Sequence, residues 1–361
     1  MSIDHLGPST WDLSKSSVPA IGSAFYSAVP LIAVILVQMA VGIWIYLSYP
    51  TETVGYESFS YEKLVFLVIY VPMSMILICL YRMVRFTRPA SPIRALAAQT
   101  RDYVLDRQRL CNGSIIIALV IPLMTTFGYI KTSLPVVAPF AWDITLSDWD
   151  QAIFFGYLPY ELLQPVVGYH VITKLLDFAY KLWFVLMWMS LVAFAFTRTT
   201  SALRTRYLLS FFLTWFVLGS VLALAFSSAG PCFYALLEIG PDPYAPLMSY
   251  LRDADRVFPV SALEMQNVLW YGYLGKVEAL GISAAPSLHN ATSLLMALAA
   301  WKVDRKLGLI VSAFAAVIFV GSISLGWHYA VDGLIAFAVT PLIWIASGRI
   351  ADLWETPALR T

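Results

Sequence analysis

Apolar residues run along this chain in blocks of about 20, and the polar residues gather between the blocks. A block of that length crosses the ~30 Å of hydrocarbon in a bilayer when it is helical. Blocks at 28–47, 64–81, 113–130, 180–197, 207–227, 284–301, 308–325 and 328–347 predict eight spans. The expected fold class is therefore all-α, a polytopic membrane helical bundle. Three regions are expected: 1–112 with two spans and a basic loop, a core of six helices over 113–347, and a tail at 348–361.

Composition strengthens that picture. Of 361 residues 60% are hydrophobic and 12% charged, with a mean hydropathy of +0.74, whereas about a quarter of a soluble domain is charged. The net charge of +1 leaves no basic surplus for nucleic acid. Cys79, Cys111 and Cys232 show no metal-binding or disulfide-framework spacing. The first 27 residues lack the basic start and cleavage site of a signal peptide, so the first span is read as retained.

The placement of charge sets the orientation. Arg82, Arg85, Arg88, Arg94, Arg101, Arg107 and Arg109 follow the second span, and cytoplasmic loops are the ones that keep Lys and Arg. With that loop inside, most of the 23 basic residues lie inside and most of the 22 acids outside. Two long outside connections, about 131–179 and 228–283, then carry most of the polar residues. The first mixes acids with Trp and Tyr, as in a short helix lying at headgroup depth. The second is either a roof over a site or an ordinary interfacial loop.

Two of the four histidines, His289 and His328, fall at the outer ends of the last spans. The stretch between them is one crossing down, a basic turn at Lys302–Lys306, and one crossing back. Both rings therefore return to one face. Asp332 follows His328 by four residues, which on a helix stacks the carboxylate one turn deeper on the same side. An ionisable group there is expensive unless paired, and a carboxylate on one ring nitrogen leaves the other free to act as nucleophile or base. Pro286 suits the first turn of the helix carrying His289, whose free N–H groups can receive an anion. A proton relay in a transporter and a metal site built on the same three side chains are the alternatives.

The segments PSLH and WHYAVD resemble the second and third signature motifs of the type 2 phosphatidic acid phosphatase superfamily, whose patterns are PSGH and SR-x5-H-x3-D. With Leu288 in place of glycine, the pair is more similar to the branch containing inositol phosphorylceramide synthases. The segments FAWDITLSDWDQAIFFG and SSAGPCFY also look like those of bacterial members of that branch. The resemblance implies a six-helix phosphatase-type core with two extra spans in front. It implies phosphoryl transfer through a phosphohistidine: His328 as nucleophile, Asp332 orienting it, and His289 as acid and then base. Ser287 is the expected substrate contact from the PSLH segment, and no cofactor or metal is required.

The chain departs from the pattern at two places. Gly321 and Ser322 stand where the family has serine and arginine, and no K-x6-RP motif is present. Phosphate charge must still be neutralised. Among the outside basic residues Lys131, Lys174, Lys181, Arg252, Arg256 and Lys276, the first choice is Lys131, at the end of the third span. The implied partners are a membrane lipid phosphate, a lipid or polyol alcohol or water as acceptor, and the bilayer. The expected location is a bacterial inner membrane with the site facing the periplasm, or the lumenal face in a eukaryote.

Overall fold

The computed structural model describes residues 20–50, 69–84, 88–278 and 280–358, and these are helical with no strand among them. The expectations for residues 1–19, for the start of the second span at 64–68 and for Arg85 fall outside the described residues.

Among the described residues six helices are long and apolar enough to cross a membrane. They are α1 (Ala20–Ser48), α4 (Arg107–Val137), α7 (His170–Ala195), α8 (Ala202–Ala225), α12 (Arg305–Ser324) and α13 (Ala330–Ala358). Length and apolarity make the protein a multi-pass integral membrane protein. The described part of the second expected span is helical, and one later span comes out shorter. The second appears as α2 (Val71–Arg82), followed by α3 (Pro92–Leu105) in the basic connection. The sixth, expected over 284–301, is the 16-residue α11 (Leu288–Val303), because Ala284–Ser287 is not helical and binds neighbouring loops instead.

The bundle is organised by its closest pairs. α11 and α12 form an antiparallel hairpin through the Asp304 turn, where the Asp304 carboxylate accepts from the N–H groups of Lys306 and Leu307 and caps α12. α13 packs on α8 and α11, and α12 on α7. α1 lies along α4, tied by Gln38 Nε2 donating to the Leu123 carbonyl at 2.8 Å. Trp183, Tyr207, Phe211, Phe212 and Tyr329 are fully buried between these helices, and each large ring removes much apolar surface from the surroundings.

Four short helices cap the end where α11 starts and α12 stops: α5 (Asp143–Ile153), α6 (Pro159–Val167), α9 (Ala245–Val257) and α10 (Ser261–Tyr273). α10 is tied down at two points. Asp177 on α7 accepts from the N–H groups of Ser261 and Ala262 at 3.3 and 3.0 Å, and Gln266 donates to the Leu325 carbonyl at 2.9 Å. The second long connection is thus a roof.

The first connection holds the expected short helix, α5, and gives it a second face. Its outward face does carry exposed Ile144, Trp149 and Ile153, but Asp143, Leu146, Ser147 and Asp150 form a buried stripe at i, i+3, i+4 and i+7. Two aspartates therefore point into the protein.

Candidate active site

His289 is held by α11. Ser287 is the N-cap of that helix, its Oγ accepting from the N–H and Nδ2 of Asn290 at 3.3 and 3.0 Å. The expected place of Pro286 in the first turn is corrected, since it precedes the cap. Ser287 is fully buried, and the structure gives its oxygen to the helix end. Leu288, the residue that stands where the family has glycine, packs against Gly219, where a Cβ would lie 3.0 Å from Leu288 Cδ1.

The His289 ring sits in an aromatic sandwich that sequence reading missed. Tyr180 stacks on it at 4.3 Å between centroids and Trp183 lies at 4.1 Å. Trp183 is itself fixed, its Nε1 donating to Thr292 Oγ1 at 2.9 Å. Both aromatic rings come from α7, one turn apart, with the periodicity that also marks any buried helix face. No local signal distinguishes the two uses.

His328 is presented differently from expectation. It lies in the connection between α12 and α13, not on a helix. The N–H groups of Trp327 and His328 both donate to the Ser322 carbonyl at 3.0 Å, closing the turn. Its Nδ1 lies 2.9 Å from the Ala284 carbonyl and 3.3 Å from Asp332 Oδ2. A carbonyl oxygen only accepts. Nδ1 therefore carries the proton of the neutral ring and donates it, and Nε2 keeps a free lone pair. Asp332 sits in the first turn of α13 and also accepts from the Tyr329 N–H at 3.2 Å, the arrangement of a helix cap. The expected pair forms, but through the helix start and not through two turns of one helix.

The expected return of both histidines to one face is met, with the two rings 5.7 Å apart between centroids and inclined at 63°. Asp332 is turned to Nδ1 and the backbone, and no group of three His, Cys, Asp or Glu among the described residues is arranged to hold a metal ion.

A second layer, also missed, ties the site to α5. Asp150 accepts from the N–H groups of Ala330 and Val331 at 2.8 and 2.7 Å, capping α13 from another helix. Asp143 accepts from the N–H groups of Ala229 and Gly230 and from the Tyr329 hydroxyl at 2.8 Å. Ser228 in turn accepts from Ala284 N–H and Ala285 N–H, so the carbonyl that holds His328 is anchored through the same loop. Burial pushes both carboxyls up from the ordinary 3.8, Asp150 to about 7, against the pull of the N–H groups they accept from. The signal was the seven-residue spacing of the two aspartates around Leu146 and Ser147.

The basic candidates separate clearly. Lys174 and Lys181 flank Asp177 at 3.4 and 3.6 Å, and contact the Pro259 carbonyl and the Ser261 hydroxyl respectively. Arg256 pairs with Asp253 at 2.9 Å, and Lys276 lies over the Tyr271 ring. Lys131 lies with its backbone against Gly281, on the segment leading to Ser287, and its charge acts on His289.

The polytopic helical bundle thus brings two histidines and a carboxylate together at one end. The chain belongs to the PAP2 superfamily, whose family model matches residues 144–346 and so takes in Asp150, His289, His328 and Asp332. Members of that superfamily are phosphatases or phosphotransferases. No curated protein and no solved structure matches the chain.

Proposed function

We propose that this protein is an integral-membrane lipid phosphotransferase, similar to inositol phosphorylceramide synthases, working through a phosphohistidine on His328. The observation that carries the reading is the Nδ1 contact to the Ala284 carbonyl, because it leaves Nε2 unprotonated and nucleophilic beside a second histidine.

In the first step the Nε2 lone pair of His328 forms a bond to phosphorus, the bond from phosphorus to the leaving oxygen breaks, and His289 gives that oxygen its proton. In the second step His289 takes a proton from the acceptor hydroxyl, whose oxygen bonds to phosphorus as the phosphorus–nitrogen bond breaks. A histidine serves both directions because the proton it gives up in the first step leaves it able to accept one in the second. Asp332 offsets the positive charge on the His328 ring. Lys131 and the N–H groups of Leu288 and His289 in the first turn of α11 are the groups assigned to the phosphate charge.

Transfer is favoured over hydrolysis by enclosure. His328 is 6% exposed, Asp332 is fully buried, and the roof helix α10 bonds directly to Leu325 three residues before His328. Excluding water lets an alcohol compete for the phosphoenzyme.

The test is a labelling and product assay on detergent-purified protein, with chelator present and a mixed pool of phosphorus-labelled lipid phosphates and phosphodiesters. The expected result is acid-labile label on wild type, none on His328→Ala, and a new labelled phospholipid. Label retained by His328→Ala removes His328 as nucleophile; His328-dependent free phosphate alone makes the protein a phosphatase.

A further inference from the structure

α5 reaches the His328 loop from outside the two-histidine motif. The Asp150 carboxylate, 1% exposed, spends one oxygen on each of the first two N–H groups of α13. Those groups belong to Ala330 and Val331, the second and third residues after His328. The titratable groups that face Asp150 are Asp332 on α13 and Tyr244 at the head of α9, with Asp143 two turns earlier on the same buried stripe of α5. Among the described residues no lysine or arginine forms an ion pair with it. Its ionised form is thus sustained by two N–H groups and the positive end of a helix, against burial and a neighbouring carboxylate.

Protonation changes what the side chain can do. An ionised carboxylate accepts at both oxygens, whereas a carboxylic acid turns one oxygen into a donor. One of the two N–H groups then loses its partner, in a buried place where an orphaned N–H is costly.

We propose that Asp150 is a positioning residue for phosphotransfer, its ionised carboxylate fixing the Tyr329–Val331 segment so that His328 faces His289, and its protonation loosening that segment and slowing the chemistry. Asp150 does not touch the reacting atoms. It acts through the backbone that carries the nucleophile, so its loss lowers kcat and leaves KM in place. This rests on the phosphotransfer reading above.

The experiment has two arms on full-length protein in detergent micelles. The first is amide hydrogen exchange of peptides covering 328–333, corrected for intrinsic rates, across pH 5.5–8.5. Wild type is expected to show protection at Ala330 and Val331 above about pH 7 that falls at least tenfold below it; in Asp150→Asn protection is low at every pH. The second arm is turnover of labelled phosphatidic acid in mixed micelles with a long-chain alcohol present as acceptor, free phosphate and new phospholipid both counted as product. Wild type is expected to lose kcat on the acid side more steeply than Asp150→Asn, because Asp150 takes up a proton there; Asp150→Asn is expected to fall about tenfold in kcat at pH 8, with KM within twofold and a shallower acid limb. Protection that ignores pH in wild type overturns the proposal without any variant. So does wild-type turnover and limb steepness in Asp150→Asn. Wild-type protein with no His328-dependent product overturns the phosphotransfer reading instead, and the exchange arm still reports whether the clamp exists.

Discussion

The Nδ1 of His328 lies 2.9 Å from the carbonyl oxygen of Ala284, closer than the 3.3 Å that separates it from Asp332. The ring tautomer is therefore held by backbone, with the carboxylate as a second acceptor. Where a carboxylate alone sets the tautomer, replacing it with an amide costs about 10⁴ in rate. Here Asp332→Asn keeps the Ala284 contact, and its amide oxygen can still accept at the Oδ2 position. The expected loss is about 10–100-fold in kcat, against complete loss in His328→Ala. Steady-state turnover of the two variants side by side checks the order; equal inactivity would mean that Asp332 alone sets the tautomer.

Asp143 and Tyr329 separate a packing cost from a single hydrogen bond. Tyr329→Phe removes one buried hydroxyl that donates to Asp143, and costs about 1 kcal/mol. Asp143→Ala orphans the N–H groups of Ala229 and Gly230 and that hydroxyl together, each worth about 1–3 kcal/mol when buried without a partner. The expected order of loss in Tm is therefore Asp143→Ala well beyond Tyr329→Phe. Thermal unfolding in one detergent, followed by tryptophan emission, measures it.

Much of this was legible before the structure. Hydropathy found six of the eight expected spans as long apolar helices, because a helix must be apolar for about 20 residues to cross, a requirement that leaves a plain mark on the chain. His289, His328 and Asp332 were legible from spacing, since two crossings return the chain to the same side. On the sequence alone Asp150 and Asp143 look like acids of an interfacial helix, because the stretch interleaves them with Trp142 and Trp149, and such a mixture also suits a membrane surface. What distinguishes the two cases is which face packs, and that depends on Ala229, Gly230 and Ala330, far away in sequence. The start of α11 is hidden in the sequence for a similar reason: Ala284 and Ala285 read as apolar helix, but their backbone bonds to Ser228 and His328.

The buried carboxyls also predict how stability varies with pH. In the folded protein Asp150 holds its proton up to about 7, whereas the unfolded chain releases it near the ordinary 3.8. Between those values the folded state binds more protons, so stability falls as pH rises across that window. Asp143, also raised, adds in the same direction. Tm of wild type is expected to decline from pH 4.5 to 7, and to decline less in Asp150→Asn. A Tm that climbs over that range would show that the carboxylates are ionised in the fold throughout. Activity is expected to run the other way across the same window, because an ionised Asp150 holds Ala330 and Val331 with both oxygens.

Gly230 is where loop, clamp and nucleophile meet. Its φ of +107° lies in the region that L side chains rarely adopt, and a Cβ there would stand 2.7 Å from the Trp327 carbonyl, directly before His328. Its N–H also donates to Asp143. An alanine must therefore either shift the backbone of the His328 turn or break the Asp143 contact, and both routes move the nucleophile. Gly156, with φ of +89° and open space around it, carries the conformational cost without the collision. Gly156→Ala is expected to lower stability by what a strained backbone costs, about 1–3 kcal/mol, seen as a fall in Tm, with kcat near wild type. Gly230→Ala is expected to lose at least tenfold in kcat on top of a comparable or larger fall in Tm. If the two alanines lowered kcat equally at matched fractions of folded protein, the contact between Gly230 and Trp327 would have no part in presenting His328.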